Sequence, residues 1–112
     1  MAYGFARMSL PRAAGYRADQ MTALMLFLVE QRLPRTTDSE LTLLQAALID
    51  ASLRLTARGE LVRYLGSTYL PGPERLLSRF EALNAESVRV VCESSQAPPT
   101  SLEAAVDLPV PD

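Results

Sequence analysis

A run of apolar residues spaced three and four apart, between Thr37 and Leu70, constrains the fold more than any other feature of the chain. Such spacing places side chains on one face of a helix. A straight helix over residues 38–70 would be about 50 Å long at ~1.5 Å per residue, whereas a compact domain of this size is only about 35 Å across. The pattern therefore predicts a helix that bends, or one that protrudes and binds a partner. The members of this seam are Leu41, Leu44, Leu48, Ala51, Leu55, Val62, Leu65 and Tyr69.

Local signals predict where this helix begins and where it bends. Thr37 and Glu40 match a capping box, in which the threonine oxygen accepts from the amide of the third helical residue and the glutamate bonds back to the cap. Arg58–Gly59 interrupts the seam, and a glycine inside a helix costs ~1 kcal/mol relative to alanine. We therefore expect a bend or a break at Arg58–Gly59. Asp50 and Arg54 lie four residues apart and are expected to form an exposed ion pair.

Three further elements complete the predicted fold. A first helix is expected from about Asp19, which can cap it, to residue 33, before Pro34. It is apolar on nearly every side and is therefore expected to be buried on nearly every side. A last helix is expected from about Pro73 to Leu83, after a stop at Pro71-Gly72-Pro73. Residues 87–92 are rich in β-branched side chains and are read as a short strand or an extended strap. The prediction is an all-α protein of three to four helices in an antiparallel hairpin or bundle.

The domain organisation follows from the same patterns. Residues 19–92 are expected to form a single helical domain. Residues 1–18 show no sustained periodicity and are predicted to be a flexible N-terminal arm. Residues 93–112 are rich in proline, serine and acidic side chains and are predicted to be disordered.

Composition removes most of the chemistry that enzymes use. The chain has no histidine, all eleven basic residues are arginine, and Cys92 is the single cysteine. The usual general base and metal ligand is therefore missing, as are lysine chemistry and a disulfide. We predict that the protein is not an enzyme and binds no metal or cofactor. The arginine usage suggests a GC-rich bacterial genome, and the absence of a long apolar run predicts a cytoplasmic protein.

In size and helix pattern the chain resembles the small helical antiactivators of LuxR-type quorum-sensing regulators. The resemblance covers residues 19–83 and involves no diagnostic motif, so it assigns no functional residue. It implies a helical homodimer that binds a transcriptional activator and prevents the activator from dimerising or binding DNA.

The functional prediction is thus a small regulatory protein that sequesters or sterically blocks a partner. We expect a homodimer that also binds another protein, with a transcription factor as the candidate partner. One alternative is a DNA-binding regulator, with Arg54, Arg58 and Arg63 on the recognition surface, although a pI of 5.1 disfavours it. Another is a structural subunit of a larger assembly. The predicted protein-interface residues are Met25, Leu28, Leu41, Leu44, Leu48, Leu55, Val62, Leu65 and Tyr69.

Overall fold

The computed structural model of the protein describes residues 24–111, which form a four-stranded sheet and two helices. The elements in chain order are β1 (Met25–Arg32), α1 (Asp38–Ala57), β2 (Val62–Leu70), β3 (Arg75–Ala82), α2 (Ala85–Ser94) and β4 (Ser101–Ala105). The predicted N-terminal arm, residues 1–18, lies outside the described residues.

The strands lie in the order β2-β3-β1-β4, and every neighbouring pair is antiparallel. Each helix connects two strands that are not adjacent in this order, since α1 joins β1 to β2 and α2 joins β3 to β4. This split β-α-β arrangement, repeated twice, is the ferredoxin-like topology. Both helices pack on the same face of the sheet and contact each other.

The core lies between the two helices and the sheet. Phe27 and Val29 of β1 and Phe80 of β3 contribute large buried side chains from the sheet. The ring of Phe80 packs edge-to-face against Tyr64, with centroids 5.5 Å apart. The buried members of this core are Phe27, Val29, Leu48, Ala51, Leu55, Val62, Phe80, Ala82, Val88, Val91 and Cys92.

The all-α prediction is wrong, because the described residues contain a four-stranded antiparallel sheet. Residues 25–32, predicted to lie in a helix, form β1. Phe27 and Val29 face the helices, while Leu26 and Leu28 lie on the other face of the sheet. A strand that is apolar on both faces has no alternation to distinguish it from a buried helix.

The predicted long helix is divided as its local signals indicated. The capping box of Thr37 and Glu40 is present, and α1 ends at Ala57 with Arg58 as its C-cap. Gly59 follows with φ +97°, a conformation that glycine adopts without steric cost. Beyond this break the chain continues as β2, so the C-terminal third of the predicted seam is strand rather than helix.

Two other elements differ in secondary structure from the prediction. Residues 75–82, predicted to be helical, form β3, which is joined to β2 by the turn at residues 71–74. Residues 87–92, predicted to be a short strand or an extended strap, lie in α2, which Asn84 caps by accepting from the amide of Ser87. The β-branched residues Val88 and Val91 are buried in the core, and tertiary packing of this kind overrides weak local propensity.

The predicted disordered segment, residues 93–112, contains the end of α2 and the whole of β4. β4 pairs with β1 along the edge of the sheet. Neither helix within residues 24–111 combines the length and the apolarity needed to cross a bilayer.

Candidate protein interfaces

The predicted interface residues fall into three groups in the structure. Leu48, Leu55 and Val62 are buried in the core of the chain itself, and Leu44 is partly buried against that core. Their apolar surface is therefore used to hold α1 and β2 together within one protomer. The seam from which they were predicted is mainly an intramolecular packing surface.

The second group, Leu41 and Tyr69, lines a groove of about 180 Å3 between α1 and the neighbouring strands. The remaining lining residues are Thr42, Gln45, Ser67 and Leu76. None of these six side chains carries a charge. Tyr69 donates a hydrogen bond of 2.8 Å to the carbonyl oxygen of Leu33, which anchors one wall of the groove.

A chain of hydrogen bonds includes two residues of this groove, Gln45 and Ser67. The Gln45 amide donates to the Tyr64 hydroxyl at 3.1 Å. The Tyr64 hydroxyl lies 2.6 Å from the Ser67 hydroxyl, which lies 2.7 Å from that of the fully buried Ser78. These polar groups satisfy one another inside the protein. The chain links α1 to β2 and β3, and so fixes the helix on the sheet.

The third group is exposed. Met25, Leu28 and Leu65 all retain more than a third of their accessible surface. Leu65 is the extra residue of a bulge in β2, where the register against β3 shifts between Tyr64 and Gly66. Of the nine predicted residues, these three are the most accessible to another chain.

Leu28 belongs to a larger apolar surface on the side of the sheet opposite α1 and α2, which we call the open face. The strand registers place Leu28 of β1, Leu77 of β3 and Leu70 of β2 on this face. Their exposures are 44%, 39% and 36%, respectively. At one end of the face, Leu26 and Glu81 are buried. The accessible part is therefore the centre and the opposite end.

Three arginines of the open face are each paired with a carboxylate. Arg75 lies 2.6 Å from Glu30, and Arg79 lies 2.9 Å from Asp107. At the buried end, Arg63 lies 3.2 Å from Glu81. A second oxygen of Glu81 is buried and has no hydrogen-bond partner among the described residues. The paired charges leave the accessible part of this face close to neutral.

A second apolar surface lies on the solvent side of α1 and consists of Leu43, Ala46, Ile49 and Leu53, which we call the outer stripe. Leu43 and Leu53 are 70% and 65% exposed, more than any apolar side chain of the open face. Beside them the predicted ion pair of Asp50 and Arg54 is present at 3.0 Å. These residues were missed as interface candidates because they flank the seam. Their offset from the buried helical face is the sequence signal that could have identified them.

The ionisable groups with a shifted pKa lie outside the open face. Burial raises the pKa of the Cys92 thiol to about 12, and the neighbouring Glu93 carboxylate adds to the shift. Hydrogen bonds from the Thr37 backbone and side chain lower the pKa of Glu40. Within residues 24–111, no three cysteine, aspartate or glutamate side chains form a group that could hold a metal ion.

Comparison with known structures agrees with the topology. The crystal structure of SCO4226 from Streptomyces coelicolor A3(2) superposes with a TM-score of 0.64, covering 76% of this chain and 99% of that chain. The two sequences are 19% identical. The chain shares its fold with SCO4226. At this identity the likeness extends to the fold alone. No family model and no curated protein matches the chain.

Proposed function

We propose that the protein is a non-enzymatic protein-binding module that forms a homodimer through the open face of its sheet. The observation that carries the proposal is the exposure of Leu28, Leu70 and Leu77 on the face of the sheet opposite α1 and α2. A sheet with apolar residues on both faces buries them only when another layer packs on each face. A second copy of the chain provides that cover.

The charges of the open face favour a second copy over a partner of one sign. Arg75 and Arg79 are each paired with a carboxylate at the accessible part of the face. A two-fold axis places the same mixture of leucines, arginines and acids on both sides. Paired charges can also exchange partners across such an axis without leaving an excess of either sign.

Ion pairs also weaken the DNA-binding alternative. Non-specific affinity for DNA depends on arginines and lysines that neutralise phosphates. Arg54, one of the three arginines predicted for a recognition surface, is paired with Asp50, and Arg63 is paired with Glu81. We therefore favour protein binding over DNA binding as the function of these surfaces.

We propose further that the outer stripe of α1 binds the second protein that the sequence predicts. If the open faces are paired, Leu43 and Leu53 remain accessible and lie on the outside of the dimer. In the role predicted from the sequence, the bound partner is a transcriptional activator in the cytoplasm. The module blocks this activator by covering a surface that the activator needs. The helical pattern behind the resemblance to antiactivators is absent, so this role depends on the outer stripe alone.

Light scattering coupled to size-exclusion chromatography tests the homodimer. We expect wild type to have twice the mass of the 12.3 kDa chain and the double variant Leu28→Glu/Leu77→Glu to be a folded monomer by circular dichroism. The matched control Leu43→Glu/Leu53→Glu introduces the same charges on the outer stripe and should stay dimeric. A wild type that is monomeric at every concentration would overturn the proposal.

The same two variants test the outer stripe. A protein that copurifies with wild type from the producing cells should also copurify with the open-face variant and should be lost with the outer-stripe variant. Equal recovery with both variants, or loss only with the open-face variant, would contradict the assignment of the outer stripe.

A further inference from the structure

Residues 106–110, which follow β4, carry the most exposed large apolar side chains in the part of the chain that the structure describes. Val106, Leu108 and Val110 are 83%, 87% and 88% exposed. Isolated exposed apolar residues are common on protein surfaces. Three within five residues form a contiguous apolar segment, which is typical of a surface that another chain covers.

An ion pair holds this C-terminal segment over the open face. Asp107 lies 2.9 Å from Arg79, and Arg79 is on the open face of β3, opposite Leu28 of β1. β4 lies on the far side of β1 from β3, so the pair reaches across β1. The segment therefore passes over the sheet instead of continuing along its edge.

The exposure of the apolar residues indicates what they face. Asp107 is paired with Arg79 of its own sheet, whereas Val106, Leu108 and Val110 each keep more than four-fifths of their surface accessible. Side chains this exposed make little contact with their own sheet, so they are available to another chain.

We propose that the C-terminal segment packs Val106, Leu108 and Val110 onto the open face of a second copy, beside the partner's Leu28 and Leu77. The second copy's segment packs in the same way in return, as a two-fold axis requires. This inference rests on the proposed homodimer and assigns the segment that completes its interface.

The area of the interface supports this arrangement. Eight-residue strands at ~3.3 Å per residue, in a sheet whose strands are ~4.8 Å apart, give a face of roughly 26 Å by 19 Å, or ~500 Å2. A stable interface of standard size buries about 800 Å2 per partner. The three apolar side chains contribute roughly 60 to 120 Å2 each. The open face alone is smaller than this, and the segment raises the total to at most about 860 Å2, close to the standard size.

Disulfide trapping between different protomers tests the proposal. Cys92 is buried and the pKa of its thiol is raised to about 12, so it does not compete with introduced cysteines. We expect a mixture of Leu108→Cys chains and Leu77→Cys chains to form a disulfide-linked heterodimer on mild oxidation. The control mixture of Leu108→Cys with Leu43→Cys should not. Absence of the heterodimer, or its formation to the same extent in the control mixture, would overturn the proposal.

The double variant Leu77→Cys/Leu108→Cys distinguishes the two directions in which the segment could pack. A disulfide within one chain, in place of one between chains, would show that the segment covers its own sheet and would also overturn the proposal.

Truncation after Ala105 separates this inference from the homodimer itself. We expect the truncated chain to dimerise at least about tenfold more weakly than wild type, as measured by sedimentation equilibrium. A truncated chain that dimerises as tightly as wild type would refute the role of the segment and leave the homodimer in place. A monomeric full-length chain would refute both.

Discussion

The two faces of the sheet are built from alternate residues of the same strands, yet they differ in what covers them. On the helix-covered face, Phe27, Val29 and Phe80 are almost completely buried. On the open face, Leu28 and Leu77 keep about two-fifths of their surface accessible. Neighbouring residues of one strand therefore serve different purposes. Residues on the covered face should determine whether a protomer folds, and those on the open face should determine what it binds.

The largest expected effect of this difference is on stability. Phe80→Ala on the covered face should lower the free energy of unfolding by about 3 to 5 kcal/mol, because it removes a buried ring and leaves a cavity. Leu77→Ala, three residues earlier on the open face, should cost much less in the isolated protomer. Urea unfolding of both substitutions in the monomeric Leu28→Glu background measures the two costs. Equal costs would mean that the two faces do not differ.

A second effect concerns how the free energy of unfolding depends on pH through Cys92, which is buried on the covered side. The pKa of Cys92 is raised from 9.0 to about 12 in the folded chain, so the unfolded thiol ionises first as the pH rises. Stability from this group is complete below pH 9.0 and is lost as the pH approaches 12. Between these values the free energy of unfolding should fall by roughly 1.4 kcal/mol per pH unit more in wild type than in Cys92→Ala.

Urea unfolding of both chains across this pH range measures that difference. Parallel pH profiles, or rapid alkylation of Cys92 in the folded protein at neutral pH, would show that the thiol is not buried as described. Dimerisation at neutral pH should be the same in both chains, since Cys92 does not lie on the open face.

The smallest of these effects concerns the start of α1, the helix that covers part of the sheet. Thr37→Ala removes the hydroxyl that accepts from the Glu40 amide at 3.2 Å and should cost about 1 kcal/mol of stability. Thr37→Ser keeps an equivalent oxygen and should restore most of it. Association through the open face should not change, and a loss of dimer in Thr37→Ala would connect the two faces.

The same substitution should be visible in the titration of Glu40. Hydrogen bonds from Thr37 lower the pKa of this carboxyl below 4.5, so its contribution is present above that value and lost as the pH falls through the lowered pKa. NMR titration should show a higher pKa of Glu40 in Thr37→Ala than in wild type. An unchanged pKa would mean that the cap does not form in solution.

Local signals in the sequence predicted the boundaries of α1 correctly. The capping box, the break at Arg58–Gly59 and the pair of Asp50 and Arg54 all involve residues within a few positions of each other. Such interactions depend little on the rest of the fold. They can therefore be predicted without knowing what α1 packs against.

The strands could not be predicted in this way because the relevant partners are distant in sequence. β1 is apolar on both faces, so its alternation is hidden. In β3, the inward position between Leu76 and Phe80 is occupied by Ser78, whose hydroxyl is satisfied by Ser67 of β2. A buried polar residue of this kind breaks the alternating pattern. Only the pairing of β2 with β3 explains its place in the core.

The interface residues, like the strands, could not be predicted from local sequence patterns alone. The seam identified apolar residues but not whether the chain itself covers them, and Leu48, Leu55 and Val62 proved to be core. Leu28 was named for an interface on the basis of a helix, whereas its exposure results from its place on the open face. Residues 106–110 were read as part of an acidic tail, although the spacing of Val106, Leu108 and Val110 was already visible in the sequence.

The central claim is that a second copy covers the open face, and an isotope-filtered NOE experiment tests it most directly. In a mixture of labelled and unlabelled wild-type chains, we predict NOEs between different protomers that involve the methyl groups of Leu28 and Leu77 and none that involve Leu43 or Leu53. Intermolecular NOEs confined to Leu43 and Leu53, or an absence of intermolecular NOEs at concentrations where the mass is that of a dimer, would contradict the account.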